Sequence, residues 1–390
     1  MDKKIKICML TSRRNPFDSR MYSREAKSLA NNGFEVYIIA PYIKNITIPT
    51  DDTVNFCLYK KSRSILRVFI TPFLLIKACL EIKADVCHCH DEHLAILAGI
   101  LYKIISKINK KQVKLIYDSY EYTPGSLARG AKTIFARYLL MRLAEKWERI
   151  ALKFVDLVFT ANQIVRAHIL LLNRFTKVEI LFNCPPYRLW HEKENNTQKE
   201  YFVVGHEGHM FFNRGLMNMV EVIKRFKRDN DKVKLLIIGN VNNEEREYLT
   251  KEINKHNLHG QIELTGRMRY EEIGEKIQDI DVGLSVLLPT INNMLAGHPN
   301  KIFNYMRFGK PVIAVDFPEI KSLIEEASSG LLIKTDSVDD LYNAIKYLKT
   351  NEKEKQAMGR NGFEIVKNKY NWENMEKKLL ASYRAMLLQD

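Results

Sequence analysis

The sequence predicts an α/β fold with two Rossmann-like domains that face each other across a cleft. Three observations predict it: a length of 390 residues, apolar runs that alternate with amphipathic segments in both halves, and a polar break between the halves. A chain of this length exceeds what one hydrophobic core usually organises, so two domains are expected. Alternating strands and helices are typical of a parallel sheet covered by helices on both faces.

The first half of the chain begins with a strand and returns to strands at intervals. Short apolar runs predict strands at residues 4–10, 35–40, 85–90, 114–117 and 157–161. Residues 23–32 are amphipathic and stop at Gly33, which predicts a helix between the first two strands. The first domain is therefore expected to span residues 1–185.

The segment LFNCPPY at 181–187 and the polar residues 191–200 make the break, after which the alternation restarts. Strands are predicted at residues 201–204, 234–238, 262–264, 282–286 and 312–315. The second domain is expected to span residues 186–368, and a final packing helix within 369–390 is expected to cross back to the first domain. Ligands of parallel sheets bind at the carboxyl ends of the strands, so the site is expected there.

The bulk composition narrows the class of partner. A net charge of +15 favours an anionic partner, which nucleic acid, lipid head groups or a negatively charged substrate can supply; the alternative is a basic surface that serves only solubility. The cations are dispersed and no zinc finger or RNP motif is present, so nucleic acid is not expected. Six scattered cysteines, no apolar run long enough to span a bilayer and no secretory signal predict a cytoplasmic protein without disulfides. Neither GxGxxG nor GxxxxGK[ST] occurs, which argues against dinucleotide cofactors and P-loop chemistry.

The segment 298–315, HPNKIFNYMRFGKPVIAV, carries the clearest functional signal. Pro299 suits the first turn of a helix, whose free N–H groups and positive dipole end attract an anion. Lys301 adds a full charge in the same turn, and Asn300 and Asn304 share one helix face. These groups predict a diphosphate site with Asn304 near a ribose or base. The alternative is an ordinary capped helix with two solvated asparagines.

A second basic group lies in the segment 203–215, VVGHEGHMFFNRG. Arg214 is expected at the opening of the next helix, where its planar guanidinium can chelate phosphate oxygens. Gly205 and His206, near the end of the preceding strand, are assigned to the same donor site. Arg267 follows a third predicted strand and is a weaker candidate for contact with the phosphate. The alternative for each arginine is a solvated loop position.

Six segments of the chain resemble one enzyme family. They are 298–315, NRG at 213–215, DVGL at 281–284, DSRMYSREA at 18–26, IYDSYE at 116–121 and NWE at 371–373. Together they resemble the retaining, GT-B-type glycosyltransferases of family four over nearly the whole chain. The resemblance implies a UDP- or GDP-sugar donor as substrate, no cofactor and no metal, with retention of configuration at the anomeric carbon.

The same resemblance implies roles for individual residues. Arg214 and Lys301 bind the diphosphate and stabilise the charge that develops on it, while Tyr120 and Glu121 serve the catalytic centre. Asp18 and Arg20 belong to the acceptor or sugar side. Three positions depart from the family pattern: Ala296 and Asn304 replace its paired glutamates, and Tyr120 replaces a histidine.

The segment CHCHDEH at 87–93 looks like a metal cluster at first sight. On a strand its two cysteines face one side while His88 and His90 face the other, and no second ligand pair at zinc spacing is visible. A strand end that lines the cleft fits better, with His90 or His93 in contact with a sugar.

The run from Lys60 to Ile76 is basic and then apolar, which is typical of a segment in the head-group layer of a membrane. A core helix with a basic cap fits the same run. The sequence as a whole predicts a retaining hexosyltransferase for cell-surface polysaccharide, with a glycan or lipid-linked acceptor, peripheral at the inner face of the membrane. Two alternatives stay open: a catalytically degenerate glycan-binding subunit and a sugar-nucleotide epimerase.

Overall fold

The computed structural model describes residues 4–44, 53–60, 66–90, 94–128, 130–190, 200–295, 297 and 299–388. The chain divides into two compact units, one containing Met1–Phe182 and Met375–Asp390 and the other Asn183–Asn374. Each unit has a parallel sheet with helices packed on it, which confirms the predicted α/β class with two Rossmann-like domains. In the sequence analysis the first domain ends at residue 185 and the second at residue 368.

The sheet of the first unit has seven strands in the order β3-β2-β1-β4-β5-β6-β7, and every neighbouring pair is parallel. The strands are β1 Lys6–Leu10, β2 Glu35–Pro41, β3 Asn55–Tyr59, β4 Val86–Cys89, β5 Lys114–Ser119, β6 Leu157–Thr160 and β7 Val178–Ile180. The direction of strand succession reverses between β1 and β4. Loops diverge at such a switch point and leave a crevice outside the carboxyl ends of the strands.

The helices of the first unit begin with a π-helical segment. They are the π-helix Ser19–Ala26, α1 Lys27–Asn31, α2 Arg67–Ile82, α3 Leu94–Ile108, α4 Thr123–Ala128, α5 Ile134–Ala151 and α6 Gln163–Leu172. The first helical segment starts at Ser19 rather than at residue 23 as predicted. The reason is Asp18, whose carboxylate accepts hydrogen bonds from the N–H groups of Arg20 and Met21 and so caps the helix.

The sheet of the second unit has six parallel strands in the order β10-β9-β8-β11-β12-β13. They are β8 Phe202–Glu207, β9 Val233–Ile238, β10 Ile262–Leu264, β11 Val282–Ser285, β12 Val312–Val315 and β13 Gly330–Ile333. The helical elements are two 3₁₀ turns, Tyr187–Leu189 and Phe212–Arg214, then α7 Leu216–Arg228, α8 Asn243–His256, α9 Tyr270–Gln278, α10 Ile291–Leu295, α11 Asn300–Arg307, α12 Pro318–Ala327, α13 Val338–Thr350 and α14 Glu352–Asn368. The last helix, α15 Trp372–Leu387, begins in this unit, and its residues from Met375 onward belong to the first unit. Here the switch point lies between β8 and β11.

Three strands of the structure were not predicted: β3, β7 and β13. All three are edge strands, and most of their residues are only partly buried. The apolar runs of β3 (residues 56–59) and β13 (residues 331–333) are short, and β7 has Glu179 between its two apolar residues. Runs of this length do not by themselves distinguish a strand from another buried segment. Among the described residues, no helix is long and apolar enough to cross a bilayer.

Candidate functional site

The loop that carries Arg214 is fixed to the strand next to it. Gly215 adopts φ +79°, and a Cβ at this position would lie 2.3 Å from the carbonyl oxygen of Val286, so only glycine fits. The carbonyl oxygen of Asn213 accepts hydrogen bonds from the Leu288 N–H at 3.0 Å and from Asn293 Nδ2 at 3.1 Å. Arg214 is therefore held at the switch point between β8 and β11.

Helix α11 is fixed to the same two strands. The N–H of Glu207, the last residue of β8, donates to the Tyr305 hydroxyl at 2.6 Å. The Tyr305 ring lies over Gly283 of β11, where a Cβ would come within 2.1 Å of it. These contacts place the first turn of α11, and Lys301 with it, above the carboxyl end of β8.

Five side chains meet at this point and form what we call the second-unit cluster: His206, Glu207, Arg214, Lys301 and Asn304. Lys301 Nζ lies 2.9 Å from His206 Nε2, and Asn304 Nδ2 donates to Glu207 Oε2 at 3.1 Å. All are buried except Arg214, which is partly exposed. The Asn304 Oδ1 atom is buried without a hydrogen-bond partner among the described residues, so one acceptor in the cluster is unused.

The pKa values in the second-unit cluster show an excess of cations. Burial lowers the pKa of Lys301 well below its usual value, and Arg214 lowers it further while Glu207 opposes the change. Burial also lowers the pKa of Arg214 and, with Lys301 and Arg214, that of His206. Burial raises the pKa of Glu207 despite the two cations. Two cations share one carboxylate, which is an environment suited to an added anion.

The other residues predicted for the donor site fall outside this cluster. Asn300 is the first residue of α11 and is half-buried. Gly205 lies inside β8 against Ile280, where a Cβ would come within 2.4 Å of the isoleucine, so packing explains the glycine. Arg267 is exposed and follows the edge strand β10, two strands away from β8.

The first unit has a buried charge cluster at its own switch point. Arg20 forms a two-pronged pair with Asp118 of β5: Nε donates to Oδ2 and Nη2 to Oδ1, each at 2.8 Å. The third guanidinium nitrogen, Nη1, donates to the carbonyl oxygen of Leu181 at 2.8 Å. Both side chains are almost fully buried.

A second carboxylate and two histidines complete this first-unit cluster, which we define as Arg20, Glu25, His88, His90 and Asp118. Glu25 Oε1 lies 3.1 Å from Arg20 Nε, and Glu25 Oε2 lies 3.8 Å from His88 Nε2 and 3.7 Å from His90 Nε2. His90 Nδ1 lies 3.3 Å from Asp118 Oδ2. His88 and His90 face these carboxylates, whereas Cys87 and Cys89 join the apolar core on the opposite side of β4, as predicted.

The pKa values in the first-unit cluster favour a proton on Glu25. Burial raises the pKa of Glu25 well above its ordinary value and lowers that of His88 and His90. Burial alone would raise the pKa of Asp118, but Arg20 and the His90 hydrogen bond hold it well below its usual range. Arg20 neutralises Asp118, and the raised pKa of Glu25 favours its protonated form. The ligand atoms of these two acids and two histidines lie within 4.8 Å of one another, but a divalent cation would leave an unbalanced buried positive charge.

The structure shows where the remaining predicted residues of the first unit lie. Arg20 and His90 are buried and bonded to Asp118, and Asp18 caps the first helical segment, so none of these three is shown reaching outward to an acceptor. Tyr120 is partly exposed and lies under the Arg14 guanidinium, 3.6 Å from its ring centroid. Glu121 is exposed. His93, like Ala296 and His298, lies outside the described residues.

Comparison with known proteins agrees with this architecture. Residues 19–184 match Glycosyltransferase Family 4, and residues 189–365 match Glycosyl transferases group 1. The chain belongs to the GT-B glycosyltransferases. An uncharacterised glycosyltransferase of Methanocaldococcus jannaschii is 20% identical over 286 residues, which cover 70% of this chain and 69% of the relative.

Solved structures show the fold of this glycosyltransferase. Sucrose-phosphate synthase of Thermosynechococcus elongatus superposes with a TM-score of 0.79 at 14% identity and covers 99% of this chain and 100% of its own. The Anabaena protein HepE in complex with UDP superposes with a TM-score of 0.73 at 13% identity, over 98% and 100% of the two chains.

Sequence reasoning assigned no site role to four residues of these clusters: Glu25, His88, Asp118 and Glu207. Glu25 and Asp118 lie within segments quoted for the family resemblance, and Glu207 directly follows His206, so each was in view without a role. Their partners are far along the chain: 98 residues separate Arg20 from Asp118, and 97 separate Glu207 from Asn304. An ionisable residue at the carboxyl end of a predicted central strand was the available signal.

Proposed function

We propose that this glycosyltransferase moves a hexose from a UDP- or GDP-sugar to a glycan or lipid-linked acceptor, with retention at the anomeric carbon and without a metal. We place it in cell-surface polysaccharide synthesis, peripheral at the inner face of the membrane. The single observation that carries the proposal is the second-unit cluster, where Lys301 and Arg214 lie at the switch point with one carboxylate between them.

The nucleotide diphosphate is the anion that this cluster fits best. Lys301 and Arg214 contact the phosphate oxygens, and the negative charge of the donor offsets both the burial of Lys301 and its repulsion by Arg214, which together lower its pKa. The Anabaena protein HepE, which shares the fold, has been solved with UDP and with UDP-glucose, and this supports a nucleotide-sugar donor.

The two cations act on the leaving group. As the bond between the anomeric carbon and the diphosphate breaks, its electron pair moves to the diphosphate oxygen, next to Lys301 and Arg214. Each well-placed cation or hydrogen-bond donor lowers such a barrier by roughly 3–4 kcal/mol. The acceptor oxygen bonds to the anomeric carbon on the face that the diphosphate leaves, and its proton passes to the departing phosphate oxygen.

Asn304 and Glu207 are assigned to the ribose. The Asn304 Oδ1 atom is a buried acceptor that needs a donor, and a ribose hydroxyl supplies one. Glu207 is held beside it by the Asn304 amide at 3.1 Å and offers a carboxylate to the neighbouring hydroxyl. The carboxylate that helix α11 lacks at Asn304 is thus supplied from the end of β8.

Donor turnover with identification of the product tests this proposal. UDP-glucose and GDP-mannose are the probes, with thermal shift to detect binding and NMR to assign the anomeric configuration of the released or transferred sugar. A ligand at about 100 times its dissociation constant adds roughly 2.7 kcal/mol of stability, which is readily measured. Binding without release of sugar would instead support the glycan-binding subunit, and a C-epimerised nucleotide sugar would support the epimerase.

A further inference from the structure

One face of the first unit carries a layer of helices with an apolar outer surface. Helices α2, α3, α5 and α6 all send buried side chains into one core cluster on the same face of the sheet. Their outward side chains include most of the exposed large apolar residues that the structure describes: Leu66, Val68, Phe69, Ile70, Phe73, Leu80, Leu101, Ile104, Ile108, Ile134, Phe135, Tyr138, Leu139, Leu140, Leu143, Ile150 and Leu171. We call this surface the outer helical layer.

Helix α5 is the most exposed part of the outer helical layer. Ile134 is 87% exposed, Phe135 75% and Tyr138 62%, and all three lie in its first two turns. Only Ala144, Glu148 and Ala151, in its second half, are buried. A soluble protein rarely leaves a contiguous apolar surface of this kind without a partner.

The charges of helix α5 select the kind of partner. Arg137, Arg142, Lys146 and Arg149 are exposed. The two acids of the helix are engaged within the protein: Glu145 pairs with Arg142 at 2.8 Å, and Glu148 accepts from the Tyr117 hydroxyl at 3.0 Å and contacts His168 at 2.7 Å. The helix therefore presents apolar side chains among exposed cations, of which only Arg142 pairs with an acid of the helix.

We infer that the outer helical layer, led by helix α5, lies on an anionic lipid bilayer. Aromatic and aliphatic side chains enter the head-group boundary while arginines and lysines beside them contact lipid phosphates, which is the chemistry of interfacial helices. A second copy of the chain fits poorly, because pairing this surface with itself would bring two sets of cations together. The inference rests on the membrane attachment proposed above and names its surface.

Helix α2 belongs to the same layer. For residues 60–76 the sequence left two alternatives, a segment in the head-group layer and a core helix, and α2 has features of both. It buries Leu75 and Cys79 in the core and exposes Val68, Phe69 and Phe73. Residues 61–65, which hold part of its basic run, lie outside the described residues. Since α3 packs between α2 and α5, both exposed apolar surfaces belong to one side of the unit.

Vesicle co-sedimentation tests the inference with the full chain. Wild type is expected to bind phosphatidylglycerol vesicles, to bind phosphatidylcholine vesicles weakly, and to dissociate as salt rises. The double change Ile134→Ser with Phe135→Ser should lower binding about tenfold or more, because both side chains lose their apolar contact with lipid. The matched control, Met217→Ser with Tyr347→Ser, alters exposed apolar residues of the second unit and should bind like wild type.

The melting temperature, donor hydrolysis and the oligomeric state are measured beside vesicle binding. All changed residues are exposed, so the melting temperature should stay within a few degrees of wild type. Donor hydrolysis in solution should be the same in the Ile134/Phe135 variant as in wild type. If wild type does not hydrolyse the donor at all, that result counts against the proposed enzyme activity and not against the membrane-binding surface. Wild type that stays in the supernatant at low salt, or an oligomer that the Ile134/Phe135 change dissociates, would overturn the inference.

Discussion

The two polar clusters occupy equivalent places, each at the switch point of a parallel sheet, yet their charges are arranged in opposite ways. In the first unit, Asp118 and Glu25 surround Arg20 and raise its pKa against the effect of burial. In the second unit, burial lowers the pKa of Arg214 and only Glu207 opposes it. One arginine has its partners within the protein, while the other shares a single carboxylate with Lys301.

We interpret this difference as the one between a structural ion cluster and the proposed binding site. Removing one member of a fully paired buried cluster leaves an uncompensated charge and destabilises the fold. A site with surplus charge is already strained when empty, so removing a cation costs little stability and mainly affects the ligand. Burial alone does not distinguish the two clusters, because both are largely inaccessible.

The largest expected effects follow from changing Arg20, Arg214 and Lys301 to alanine one at a time. Arg20→Ala should lower the free energy of unfolding by about 3–5 kcal/mol, because Asp118 would remain buried and ionised without its partner. Arg214→Ala and Lys301→Ala should leave the melting temperature close to wild type but lower kcat/KM by about 100- to 1,000-fold. Denaturant titration and donor-turnover assays on the three variants measure both quantities.

Matched controls are available for both charges. Arg246 and Lys251 lie exposed on helix α8, and their change to alanine should affect neither stability nor turnover. The comparison between the clusters fails if Arg214→Ala destabilises the protein as much as Arg20→Ala does. The diphosphate role fails if either second-unit variant retains near-normal turnover at saturating donor.

A smaller effect is expected at Asn304. Its change to alanine removes the acceptor Oδ1 and the amide that positions Glu207, so affinity for UDP should fall about tenfold, which equals about 1.4 kcal/mol. Asn304→Asp keeps an acceptor at the same place and is expected to retain more of the affinity. Titration calorimetry with UDP measures both, with the exposed Asn254→Ala as control. Unchanged affinity in Asn304→Ala would remove this residue from the site.

The central strands and helix α11, the proposed phosphate-binding helix, could be predicted from the sequence, because local pattern determines them. The segment 298–315 yields α11 at Asn300–Arg307 followed by β12, since Pro299, the apolar run and Gly309 act over a few residues. The partly buried edge strands β3, β7 and β13 have apolar runs of at most four residues. For them the local pattern was too weak.

The clusters themselves could not be predicted in full, because strand order and register bring their members together. Glu25 meets His88 only because β1 and β4 are neighbours, and Glu207 meets Asn304 only because α11 packs against the end of β8. The exposure of Ile134 and Phe135 could not be predicted from the sequence either, because an apolar first turn has the same sequence pattern whether it faces a core or solvent.

The sharpest test of the first-unit cluster is the pH dependence of stability in Glu25→Gln. Because burial raises the pKa of Glu25, its contribution to stability is fully present below its ordinary value of 4.5 and is lost as pH rises through the folded-state pKa. Glutamine resembles the protonated acid and cannot ionise, so the variant lacks this loss. The difference in stability, variant minus wild type, should therefore increase between about pH 5 and about pH 8, by at most about 1.4 kcal/mol per pH unit.

Thermal melts of both proteins across that range measure the difference directly. His88 and His90, whose pKa values are lowered, reduce stability as pH falls below 6.5, but both proteins retain them and this effect largely cancels. Arg20 and Asp118 also face Glu25 and keep their charge throughout the range. Parallel curves would show that Glu25 is ionised in the folded protein. If EDTA then lowered the melting temperature of wild type alone, a divalent cation rather than a proton would balance the cluster.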